Sequence, residues 1–121
     1  MGSFSRITCR HLCASCFILA LGAGFIVALL PAPDGVDLSD GRDKIAHAAA
    51  FAGFACLGLA AWPQRTGAVI LTLLVYGLAI ELAQALVPYR SADLLDWVAD
   101  AVGTLAVAAA WMLHRFRAQQ V

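Results

Sequence analysis

Four long apolar runs, at roughly residues 11–31, 45–62, 67–87 and 93–113, account for most of the chain. Within each run the apolar positions follow one another without the alternation of a half-buried strand. Each run reaches the roughly 20 residues that a helix needs to cross about 30 Å of hydrocarbon. Open strand edges are not tolerated at membrane depth. The pattern therefore predicts an all-α fold, an integral membrane bundle of four transmembrane helices forming a single membrane domain over residues 1–121. Polar side chains interrupt the runs at few positions, and these share helical faces. Glu81 and Gln84 lie three apart in "YGLAIELAQALVPYR", as do Lys44 and His47 at the start of the second run. In the fourth run Asp93, Asp96, Asp100 and Gly103 recur at i, i+3, i+7 and i+10.

Composition strengthens this picture. The chain is 62% hydrophobic and 13% charged, which excludes an ordinary soluble domain. The connecting segments are short, so any chemistry falls within or just above the membrane. The first run has a basic leader, but its one small-residue cleavage candidate, around Ala32, is followed directly by Pro33; a retained anchor is expected.

Net charge is zero, yet its distribution sets an orientation. Arg6, Arg10, Arg65, Arg115 and Arg117 mark the two tails and the second loop, which share one side of a four-pass topology. By the positive-inside rule both termini are cytoplasmic, in a multi-pass protein of the inner (cytoplasmic) membrane. The first and third loops then face outward. Basic residues placed as membrane-end anchors exclude nucleic acid as a partner.

Neither metal-like spacing completes a site. "CASC" at residues 13–16 lacks a second pair and reads as small packing residues without a disulfide. The first-loop aspartates Asp34, Asp37, Asp40 and Asp43 lack the alternate-residue spacing and closing glutamate of a calcium loop. No metal and no cofactor are expected. Asp40 or Asp43 is expected to cap the second helix, and Ser91 to lie in the N-cap region of the fourth.

The polar faces converge. Glu81 lies seven residues before Pro88, about 10 Å inside its helix end. The tight "PYRSAD" turn pairs the third and fourth helices antiparallel, so residues whose numbers sum to about 181 come level. Glu81 then meets Asp100 and Gln84 meets Asp96, with Gly77 and Gly103 letting the two backbones approach. Lys44 and His47 join them from the second helix. Tyr89 and Trp97 suit the membrane interface, and Tyr76 the core. A charge in hydrocarbon costs on the order of 3 kcal/mol, so such residues persist where they face one another or a wet cavity. One outward pocket is expected, containing Lys44, His47, Glu81, Gln84, Arg90, Asp96 and Asp100, with Asp93 at its rim. The alternative is that these side chains serve only to fix helix register.

"DKIAHAAAF" and "IELAQALVPYRSADLLDWVADAVG" resemble the VanZ-like family of small bacterial membrane proteins over roughly residues 43–105. The matching positions are Asp43, Lys44, His47, Glu81, Gln84, Arg90, Asp96 and Gly103; at Asp100 the family pattern has Asn. The resemblance implies a cell-envelope membrane protein, in a family named for low-level resistance to the glycopeptide teicoplanin, without a settled activity. Two functions use the same residues, and whether the protein is an enzyme stays open between them. In the first, Lys44 and Arg90 clamp an anionic or sugar-bearing lipid-linked head group. Glu81 and His47 then act as acid and base, Asp96 orients one of them, and Gln84, Asp100 and Asp43 complete the binding set. In the second, the pocket binds without catalysis and limits access of an antibiotic or envelope lipid. Proton-coupled transport is a third reading. The expected partner is a membrane lipid or lipid-linked envelope precursor, and the thin, Ala-rich helices leave faces for a second copy in a homo-oligomer.

Overall fold

The computed structural model describes residues 3–33 and 41–120; Asp34, Asp37 and Asp40, and with them the calcium reading, lie outside the described residues. Helices α1 (Ser3–Leu29), α2 (Arg42–Ala61), α3 (Thr66–Ala85) and α4 (Leu94–Ala118) follow one another, with no strand among the described residues. All four are long and apolar enough to cross a membrane, and the chain is a multi-pass membrane protein. Helix α1 reaches back to Ser3, past its apolar stretch, and takes in Arg6 and Arg10. Helix α4 likewise runs on to Ala118, where Arg115 and Arg117 in the last turn complement the helix dipole.

The caps differ from those expected. Gly41 precedes α2 at φ 84, a left-handed conformation that glycine adopts without a Cβ penalty. Asp43 therefore sits inside the first turn and accepts from the amide of Lys44 rather than capping the helix. At α4 the N-cap is Asp93, not Ser91: its carboxylate accepts from the Leu95 amide at 2.9 Å. Helix α2 ends where the Trp62 amide returns to the Gly58 carbonyl, just before Pro63.

Helix α2 is the centre of the bundle and packs most extensively on α4, then on α1. The core is built from Phe17, Phe51, Ala55, Leu59, Val69, Leu73, Ile80 and Ala108. Phe51, Phe54 and Tyr76 form an aromatic cluster with ring centroids 5.3–6.0 Å apart. Gly103 serves α2 rather than α3, because a Cβ there would overlap the carbonyl oxygen of Ala48.

Helices α3 and α4 pair in a different register from the one expected. Glu81 meets the amide of Asp93, Gly77 lies against Asp100, and Leu74 accepts from Trp97. Each α4 partner lies nearer the turn than equal-depth pairing from the sequence requires. Arg90–Asp93 is not helical, and Asp93 itself is extended. An extended chain covers about 3.3 Å per residue against 1.5 Å in a helix, so it descends along α3 in fewer residues. Trp97 ties α4 to α3, its indole N–H donating to Leu74 at 2.9 Å.

Candidate functional site

The polar residues gather at the end of the bundle where α1 stops, α2 starts and the α3–α4 turn crosses. Lys44 leaves the first turn of α2 and donates to Asp93 at 2.8 Å and Asp96 at 2.9 Å, with Asp43 at 3.6 Å. The Lys44 hydrogen bond, followed by the Leu95 amide, holds the Asp93 carboxyl below the usual carboxylate range. The α4 cap therefore stays anionic and keeps its lysine.

One turn deeper, His47 Nδ1 meets Asp100 Oδ1 at 2.8 Å. Asp100 is fully buried. Its second oxygen fits because residue 77 is glycine, where a Cβ would stand 2.8 Å from Oδ2. Glu81, also buried, accepts the Asp93 amide at 2.8 Å and so links α3 to the start of α4. Although the register differs from the one expected, the Glu81 and Asp100 side chains still come near each other: with His47, the two offer ligand-capable atoms all within 4.8 Å of one another.

Gln84 is placed differently. Its amide donates to the Ala28 carbonyl of α1 at 2.9 Å and not to Asp96, which Lys44 already holds. Arg90 donates through Nε and Nη2 to the Leu30 carbonyl, at 2.8 and 2.5 Å. Tyr89 reaches the Leu29 carbonyl at 3.0 Å, and Tyr76 the Leu21 carbonyl at 2.5 Å. The last carbonyls of a helix have no partner within it. Here Gln84 and Tyr89 supply donors to Ala28 and Leu29 at the end of α1, Arg90 bonds Leu30 just beyond it, and Tyr76 adds a bond to the Leu21 carbonyl farther back in the helix. Sequence reasoning missed this fourth wall because backbone acceptors carry no residue signature. It also missed Thr104, fully buried one turn beyond Asp100, although that residue continues the polar stripe of α4.

Two clefts open at this end. The polar one, about 440 Å³, is lined by Lys44, Tyr89, Ser91, Asp93 and Asp96 among others. The second, about 280 Å³, is a largely apolar groove formed by Gly24 and Val27 of α1, Phe51 and Phe54 of α2, and Ile80 of α3. They share Ala32, Asp43, His47, Gln84 and Arg90, so the two spaces meet at one polar junction. Glu81 and Asp100 line neither cleft. They lie close to His47, and Asp100 fixes its ring through Nδ1.

No curated protein and no solved structure matches the chain. The VanZ/LLP1 family model matches residues 26–115. That span takes in the end of α1 whose carbonyls hold Gln84, Tyr89 and Arg90, and all of α2 and α3. With most of its length covered, including every residue of the polar junction, the chain belongs to the VanZ/LLP1 family.

Proposed function

We propose that this protein handles an anionic, lipid-linked molecule of the cell envelope, at the outer face of the inner membrane. The observation that carries the reading is the junction of the two clefts. A molecule with a polar head and an apolar chain can place the head beside Lys44 and Arg90 while the chain lies along Phe51 and Phe54. The orientation is supported by the opposite end of the bundle, where Arg10 and Arg115 bind the carbonyls of Ala61 and Pro63. An arginine-rich end is the cytoplasmic one by the positive-inside rule.

Within the junction His47 is the group suited to moving a proton. Asp100 fixes its ring through Nδ1, which leaves Nε2 for a bound head group. Asp96 supports Lys44, and Glu81 orders the start of α4. Processing and plain binding separate by substitution. Lipid profiles of envelopes from cells carrying wild-type protein, His47→Gln, Arg90→Gln or no protein test the reading. An anionic lipid-linked species is expected to accumulate without the protein and with either variant, while purified His47→Gln retains that species and Arg90→Gln does not. Loss of binding in both variants favours recognition without chemistry. Identical profiles in all four strains contradict the proposal.

A further inference from the structure

We propose that His47, Glu81 and Asp100 form a binding site for a divalent transition-metal cation in the interior of the bundle. The three residues come from α2, α3 and α4, and one ligand-capable atom from each lies within 4.8 Å of the other two. Bonds of about 2.0–2.2 Å place ligand atoms about 3–4 Å apart, so small rotations of the two carboxylates close the set. His47 Nδ1 and Asp100 Oδ1, at 2.8 Å, stand a little closer than two neighbouring ligands do and need only a small outward rotation to become such a pair. A cation takes the place of the proton they share, and Glu81 supplies the third bond.

Unmet valence in the protein supports this assignment. Glu81 is 6% exposed and Asp100 0%, and each keeps one buried oxygen, Oε1 and Oδ2, with no hydrogen-bond partner among the described residues. Two buried carboxylates side by side repel each other, and an idle oxygen on each loses the solvation it had in water. The nearby Lys44 ammonium does not resolve this, because it is held by Asp93 and Asp96. A dication neutralises both carboxylates and takes one oxygen from each. One imidazole nitrogen with two carboxylate oxygens suits Zn²⁺, Mn²⁺ or Fe²⁺ better than Ca²⁺ or Mg²⁺, which favour oxygen alone. The sequence reading expected no metal because these ligands lie on three helices, where no local spacing reveals them.

The site does not rest on the lipid reading, and its test uses no lipid. The full chain is purified in detergent with Cys9, Cys13, Cys16 and Cys56 changed to serine, since these free thiols would bind zinc themselves. It is stripped with chelator and offered Zn²⁺, Mn²⁺ or Mg²⁺. After desalting, about one Zn²⁺ or Mn²⁺ per chain is expected by elemental analysis, without Mg²⁺ retention. Glu81→Gln and Asp100→Asn, which preserve shape and remove charge, are expected to weaken binding more than about tenfold. Should either variant fail to fold, Co²⁺ bound to the unsubstituted ligand set gives the second readout: visible d–d bands without thiolate charge transfer. Absence of stoichiometric metal and of the cobalt spectrum overturns the proposal, as does retention unchanged by both folded variants.

Discussion

Gly103→Ala is expected to lose most of its folded protein, whereas Gly53→Ala is expected to match the wild type. The added methyl at residue 103 overlaps the Ala48 carbonyl oxygen, and the Ala48 carbonyl carbon and Cα stand at only 2.9 and 3.1 Å. All three are backbone atoms, so no rotamer change relieves the clash and the helices must separate. Separation also pulls Lys44 from Asp93 and Asp96 and His47 from Asp100, since every one of these contacts joins α2 to α4 or its cap. Overpacking typically costs about 1–3 kcal/mol, and loss of the linked polar contacts places this case at about 3 kcal/mol or above. Nothing lies within 4 Å of a Cβ at Gly53, so that substitution brings only the helix preference of alanine. Thermal unfolding in detergent checks the pair. Equal midpoints for Gly103→Ala and wild type would mean that α2 and α4 do not approach as described.

His47→Leu is expected to be markedly destabilised and His47→Leu/Asp100→Leu largely restored. Asp100 is wholly buried, and its Oδ1 is held by His47 Nδ1 while Oδ2 has no partner. Removing the imidazole leaves a carboxylate without a hydrogen bond from any described residue. Breaking such a pair from one side costs about 3–5 kcal/mol, whereas replacing both members with apolar residues is often nearly neutral. The restored variant should fold yet carry none of the junction's chemistry. Additive losses in the double variant, measured as unfolding free energies, would show that the two side chains are not coupled.

Much of this arrangement is legible in the chain because it is periodic. Glu81 with Gln84, Lys44 with His47, and the aspartates of α4 fall on shared faces in any helix, so their convergence follows once the four spans are drawn. What is not legible depends on geometry between segments. The extended residues before α4 reset its register, and both Ser91 and Asp93 are good N-cap types, so composition alone does not choose between them. The partner of Gly103 is equally hidden. Its neighbour along the chain is α3, but its contact is Ala48 on α2, and no local pattern encodes that pairing. Gln84 and Arg90 were visible as polar residues, yet their acceptors are backbone carbonyls at the end of α1 and just beyond it, which any sequence possesses.

These contacts give α1 a role beyond anchoring. Held by Tyr76, Gln84, Tyr89 and Arg90, its final turns form one side of the apolar groove, and Gln84 and Arg90 line both that groove and the polar cleft. The proposed function therefore requires one molecule to fill both spaces. Photolabelling with a polyprenyl phosphate carrying a diazirine in its chain tests this most directly. The expected result is saturable labelling of the groove segments at Gly24–Val27 and Ala50–Phe54, competed by unlabelled lipid phosphate and lost in Lys44→Gln and Arg90→Gln. Uncompeted labelling spread over exposed outer positions such as Leu71, Val75, Leu82 and Val102 would contradict it.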